Sequence, residues 1–347
     1  MFDDATELAK ASLPPLDAVG VPYEWWSGEE LKNRLPELSI RAWYPSTTPY
    51  DPAFFAEGVE ELGGALFTPE AGYVPDPQLA AQNLADAASA AGASFRFRSE
   101  VISVHTEMAC RIGGGCTRVT GVELQSGEVV SADVVINASG PHSAIVNKMA
   151  GALTDMTVGT RPLRQQVSHV RAPAGLGPAI ARYPACGDFD SGMYIRPDGE
   201  ALLVGGVEAE CDPLVWLDDP DHVDMTLDSG EWETQAMRVA RRIPEFGIPH
   251  DRRGVVGVYD VSDDWIPIID RSAIDGFYMA VGSSGNQFKN APVIGHCMAE
   301  LIEAVEAGHD HDRDPVVVVG VHRGLRINLG TFSRRRVVGH TNRGVLG

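Results

Sequence analysis

The stretch from Gly276 to Gly308 constrains the fold more than any other part of the chain. It reads as a strand to Val281, a turn Gly282-Ser283-Ser284-Gly285-Asn286, and a long amphipathic helix. That order occurs where a sheet passes its chain through a tight loop to a covering helix. A helix start leaves backbone N–H groups unpaired at the positive end of the dipole, so such a turn can hold an anion or an electron-rich oxygen. Ser and Asn are also ordinary capping residues, and this simpler reading stands beside the first. Lys289, one of only four lysines, falls near the first helical turn, where a cation opposes the dipole.

A second run, Asp133-Val-Val-Ile-Asn137, reads as a short, fully buried strand of the kind found in parallel sheets. Ala138-Ser139-Gly140-Pro141 and a short helix to about Ala150 follow it. Upstream, an Ala-rich helix pattern covers Gln78 to Ala91 and stops at Gly92. Two β-like runs, Ser94 to Thr106 and Thr117 to Leu124, flank a Gly113-Gly114-Gly115 turn. From Arg161 to Val207 short strands with turn residues imply a mostly antiparallel sheet, before a helix over Glu231 to Ile243 and a strand over Val255 to Val261. The expected class is α/β (α+β mixed), with a Rossmann-like domain (64–155 and 276–309) interleaved with an antiparallel-sheet domain (1–63 and 156–275) and followed by a basic tail (310–347).

Charge excludes one class of partner. The formal charge of the 347 residues is -20, so a nucleic-acid backbone would be repelled. The tail from Pro315 to Gly347 is the exception, with six arginines and no acid; it is expected to fold against the acidic body or to meet an anionic ligand or partner. No apolar run is long enough for a membrane helix, and the acidic start points to the cytoplasm as the default compartment. The five cysteines fit reduced thiols, and Cys297 is expected to be buried rather than reactive. No P-loop, H-E-x-x-H or G-x-S-x-G occurs. His309-Asp310-His311-Asp312 with Asp314 reads as a solvated loop rather than a metal site.

Taken in order, the motifs resemble the D-amino-acid oxidase-like (DAO) family of FAD-dependent amine oxidoreductases. Gly282, Ser284, Gly285, Phe288 and Lys289 match its G-x-S-G-x-x-F-K. Gly72-Tyr-Val-Pro-Asp-Pro77 resembles the segment before a helix, Glu100-Val101 the segment whose Val main chain contacts adenine, and Val134 to Pro141 the strand and turn beside ribose and pyrophosphate. Pro162 to Gln166, Tyr194 to Asp198 with Leu203 to Gly206, and Asp263 to Pro267 resemble signatures of the substrate domain. The likeness runs from about Val21 to Arg336.

The resemblance implies FAD, contacted by Val101, by Ala138, Ser139 and Gly140, and by Gly282 with Ser284 to Lys289, including Asn286, Gln287 and Phe288. Some members link flavin through a Cys two residues before a Tyr; Gly257 stands there ahead of Tyr259, so binding is expected to be non-covalent. The amides of Ser284 to Asn286 would stabilise negative charge on the reduced ring. The expected substrate is a small amine or an N-methylated or cyclic amino acid. Lys289 would pair with its carboxylate or sit beside the flavin. Arg196 and Tyr194 are candidates for a carboxylate clamp and pocket wall, with an exposed strand Arg and a core Tyr as the alternative. Tyr259 and Trp265 either line the pocket or belong to the core, and Asn137 is expected to serve the turn.

The family opens with a βαβ unit carrying G-x-G-x-x-G, and this sequence contains no such motif. The resemblance therefore implies an incomplete dinucleotide domain, with FAD binding in doubt and the missing unit supplied by a protein partner. A non-catalytic remnant is the alternative. A homo-oligomer is the other expected association.

Overall fold

The long strand Thr160–Arg171 organises the larger of the two main sheets. In this computed structural model, which describes residues 9–11, 13–58, 60–111, 114–320 and 324–339, it pairs antiparallel with Ala201–Gly206 and Val215–Trp216 and with Gly254–Ser262. Met193–Asp198 and Cys186–Asp188 extend the sheet beyond Ala201–Gly206. Strand side chains alternate between faces. Gln166, Ser168 and Val170 are buried on the face covered by the helix Ser229–Arg242, above a core of Met193, Ile195, Leu202, Val204, Val239 and Ile243. Gln165 and Val167 lie on the opposite face with Tyr194, Arg196, Gly257 and Tyr259, the cross-strand register keeping them together. This face is covered at one end, where Leu163 and Val261 are buried with Trp265, and open at the other, where Val255 is 66% exposed.

The second sheet holds Phe277–Val281 between Ile268–Arg271, antiparallel, and Val135–Asn137, parallel. The helix Ala291–Glu306 covers one face through Cys297, Met298 and Leu301 against Ile269 and Tyr278. Phe277, Met279 and Val281 pack on the other face with Val104, Val119 and Val146. Those last three come from the sheet formed by Val101–Arg111, Gly114–Leu124 and Val129–Ser131 and from the helix Ser143–Met149. The parallel pair and the antiparallel sheet expected from sequence are both present.

Three local expectations differ from the structure. The run Asp133 to Asn137 is not fully buried: its strand spans Val135–Asn137 at a sheet edge, and Ile136 is 47% exposed. Ser94 to Ser99 alternates like a strand but has no neighbour to pair with, so regular structure starts at Val101, with Phe95 and Phe97 exposed. The acidic His309–Asp314 loop is not simply solvated, because His311 is 2% exposed. The Ala-rich helix forms over Pro77–Ala90 with Asp76 as its cap, yet none of its residues is buried. Residue 113 of the expected glycine turn, residues 1–8 and the tail beyond residue 339 lie outside the described residues. Among the described residues no helix is long and apolar enough to cross a membrane.

The basic tail docks on acids. Arg334 is fully buried and binds Asp155 at 2.6 Å, Asp312 at 2.8 Å and Asp270 at 3.1 Å, while Arg336 binds Asp264 at 2.7 Å. Burial raises the carboxyls of Asp155 and Asp312, but the Arg334 guanidinium outweighs it and holds both below their ordinary value. Removing one member of a buried ion pair leaves the other uncompensated, at about 3–5 kcal/mol. Arg334→Ala is therefore expected to lose about that much stability in urea unfolding, with Asp270 stranded in the core; a loss near zero contradicts the clamp.

Candidate active site

The turn after Phe277–Val281 is built around a buried acid on a different sheet. Asp260, 2% exposed on the strand Gly254–Ser262, accepts the Gly282 N–H at 2.5 Å and the Ser283 N–H on its carboxylate. Its other oxygen accepts from the Ser143 hydroxyl at 2.7 Å, and its main-chain carbonyl accepts the Ser284 N–H at 2.7 Å. Ser143 opens the helix Ser143–Met149 and is itself 2.7 Å from the Thr160 hydroxyl. Burial pushes the Asp260 carboxyl up to about 6, against the downward pull of these donors.

The same bonds correct one expectation. The resemblance turns the amides of Ser284 to Asn286 toward a ligand, but the Ser284 N–H goes to the Asp260 main-chain carbonyl and the Asn286 N–H to Ser283 O. Gly285 N–H takes no part in these bonds. The turn also precedes a short 3-10 segment, Phe288–Asn290, so it lies ahead of the helix at Ala291 rather than at its first turn. Gly282 and Gly285 both need a left-handed backbone, with φ 71° and 76°. A Cβ on Gly285 would stand 2.2 Å from the Tyr259 ring, so the turn is pressed onto the open face of the large sheet.

On that face, Tyr194 leans across Gly205, where a Cβ would meet its ring at 2.4 Å, and its phenol lies within hydrogen-bonding reach of Tyr259. Burial raises both phenols, and Tyr194 and Glu208 raise Tyr259 further, so both stay protonated. Gly257, paired with Gln165, leaves open space beside them: a Cβ there meets nothing within 4 Å. Gln165 donates to Glu208 at 3.0 Å. The Arg196 guanidinium stacks 4.7 Å from the Tyr73 ring centre and makes no ion pair among the described residues. Trp265 packs with Leu163 and Val261 in the small core under Tyr194 and Tyr259.

The structure thus brings Tyr194, Tyr259, Arg196 and the Gly282–Asn286 turn around one face. Ala138, Ser139 and Gly140 join them indirectly: Asn137 accepts from the Ser139 hydroxyl at 2.6 Å and donates to Ser143 O at 2.9 Å, and Ser143 reaches Asp260. Val101 begins the strand that packs on the same helix. Lys289 is exposed and donates to Asn286 O at 2.7 Å, while Gln287 bonds Asn286 and Phe288 is 51% exposed. Cys297 is buried, and burial raises its thiol. Sequence reasoning missed Asp260 and Ser143; the available signal was an acid inside the apolar strand VVGVYDVS.

Because the Asp260 carboxyl is raised when folded, its contribution to stability is full below its ordinary value of 3.8 and is lost as pH rises through about 6. His311, lowered by burial, works in the opposite sense over part of this window. The comparison is therefore wild type against Asp260→Asn. Urea unfolding is expected to show the wild-type advantage shrinking by about 1.5 kcal/mol between pH 5 and pH 7.5; a constant difference contradicts a raised carboxyl.

The model of the DAO family, described as FAD dependent oxidoreductase, matches residues 2–301. Human mitochondrial sarcosine dehydrogenase is 30% identical over 230 residues, 65% of this chain and 23% of that protein. Glycine oxidase from Geobacillus kaustophilus (strain HTA426) is 24% identical over 294 residues, 84% of this chain and 65% of the relative. This chain therefore spans about a quarter of the first of these and under two thirds of the second. Among solved structures, L-proline dehydrogenase from P. horikoshii superimposes with TM-score 0.67 at 20% identity, covering 96% of this chain and 74% of the other. Glycine oxidase from Geobacillus kaustophilus gives 0.63 at 21% identity, covering 98% and 74%. The fold matches theirs, and with a family model spanning most of its length the chain belongs to the DAO family of FAD-dependent oxidoreductases.

Proposed function

We propose that this chain carries the substrate face and the flavin-ring contacts of an FAD-dependent enzyme that oxidises the C–N bond of a small amine or amino acid. The observation that carries this reading is the Gly282–Asn286 turn pressed onto the open sheet face beside Tyr194, Tyr259 and Arg196. The residues present fit the ring end of such a cofactor: Gly257 and Gly140 leave space that a side chain would fill, and the turn would hold the ring edge. When bound, FAD supplies the two-electron acceptor that turns an amine into an imine, which water then hydrolyses.

The rest falls to the protein. Arg196 binds the substrate carboxylate with its planar fork and keeps its orientation by stacking on Tyr73. Tyr194 and Tyr259 remain neutral donors at the pocket wall and keep water off one side. Lys289 sits at the rim, held by the turn it follows. Sarcosine, glycine and L-proline, taken from the names of the relatives, are the substrates to try first; each offers an amine beside a carboxylate.

A second reading is favoured by a specific surface. Ile136 is exposed on an edge strand, and Leu79 and Leu84 are exposed on a helix with no buried residue. An open strand edge and a helix that exposes apolar side chains are each a surface on which another polypeptide can dock. On this reading the chain is one part of a flavoenzyme and binds a partner polypeptide that carries the dinucleotide-binding βαβ unit. Retention of FAD only after mixing with such a unit would support it.

Two measurements test the first reading. Protein reconstituted with FAD and titrated without oxygen with sarcosine, glycine or L-proline is expected to lose its visible flavin absorption, and FAD that washes off in every form of the protein contradicts the proposal. Arg196→Leu is expected to raise KM by about 10–100-fold with little change in kcat, the value of a charged hydrogen bond to the substrate.

A further inference from the structure

We propose that Asp260 is a positioning residue that latches the Gly282–Ser284 turn into its ligand-holding shape, and that the charge on this one carboxylate sets how firmly the turn is held. The inference rests on the proposed flavin site. It concerns a group that touches neither substrate nor cofactor and acts through the turn.

The geometry carries it. Asp260 lies on the large sheet, the turn follows a strand of the other sheet, and Ser143 begins the helix behind the Ala138–Gly140 loop. One side chain ties all three, through Gly282, Ser283 and Ser143. With those amides drawn inward, Gly285 is set against the Tyr259 ring. Ser284 is kept at φ 48°, unusual for a residue with a side chain, by its buried hydroxyl bonding the Ser262 N–H and Gly282 O.

The groups facing the carboxylate are the Gly282 and Ser283 amides of the turn, the Ser143 hydroxyl of the helix and, behind it, the Thr160 hydroxyl of the neighbouring strand. None of them is charged or titrates near neutrality, so no cation holds Asp260 ionised. A carboxylate is a stronger acceptor for the two amides than a neutral acid. Protonation leaves a carbonyl oxygen for Gly282 and Ser283 and a hydroxyl that Ser143 can accept. The latch then weakens without a donor clash, which is also the arrangement available to an asparagine.

The test uses the full chain and has a readout that does not need FAD. In the wild type, the amide resonances of Gly282 and Ser283 are expected to shift together between pH 4.5 and 8 with a midpoint of about 6. Asp260→Asn is expected to stay folded with no such titration, and Asp260→Ala to move both resonances at every pH. With FAD as the probe, wild-type affinity is expected to fall about tenfold from pH 8 to pH 5, Asp260→Asn to hold the weaker value throughout, and Asp260→Ala to bind more weakly still. Amides that do not titrate, or an Asp260→Asn protein whose FAD affinity equals the wild type at pH 8, overturn the proposal. If no form binds FAD, the functional reading falls, and the amide titration still decides whether Asp260 shapes the turn.

Discussion

A single buried carboxylate connects the parts of this protein that matter for its site. Asp260 holds the Gly282–Ser284 turn, the helix Ser143–Met149 and its own strand in one arrangement. Without it, the turn would be held to the large sheet by apolar packing and by Ser284 alone, whose N–H meets the Asp260 main-chain carbonyl and whose hydroxyl accepts the Ser262 N–H, and the Gly282 and Ser283 amides would lose their acceptor. The acid sits there without a countercharge, at a cost in solvation that hydrogen bonds from neutral donors only partly offset. Such an expense is understandable where orientation of a loop is worth more than raw stability.

The second constraint is the open sheet face. Its partner face is closed by the helix Ser229–Arg242, which leaves Tyr194, Arg196, Gly257 and Tyr259 on the face that meets the turn through Tyr259. Glycine at 205 and 285 lets the two aromatic rings lie flat against backbone. The C-terminal segment is tied to the second sheet, because Arg334 joins Asp270 of that sheet with Asp155 and Asp312. The acidic excess of the chain is thus met locally by arginines from its own tail.

Much of this was legible in the residues. Periodicity and turn chemistry place helices over Gln78 to Ala91, Glu231 to Ile243 and the stretch after Asn286 and a strand over Gly276 to Val281, and the structure has them at Pro77–Ala90, Ser229–Arg242, Ala291–Glu306 and Phe277–Val281, because these elements are long or sharply capped. What failed depended on neighbours. Burial of Ile136 could not be judged from an apolar run, since an edge strand and a central strand read alike. Ser94 to Ser99 has a strand pattern but no partner, and His311 looked solvated because the arginine that encloses its loop lies far away in sequence. The site's glycines and tyrosines were visible as motifs, whereas the direction of the turn amides was not: it is set by Asp260, which no local pattern links to Gly282.

The most direct test is the structure of this protein crystallised with FAD. The account predicts the flavin ring against the Gly282–Asn286 turn, one face toward Gly257 and Tyr259, with Gly282 and Ser283 still bonded to Asp260. A ring bound elsewhere, or a turn released from Asp260 to receive it, contradicts the account.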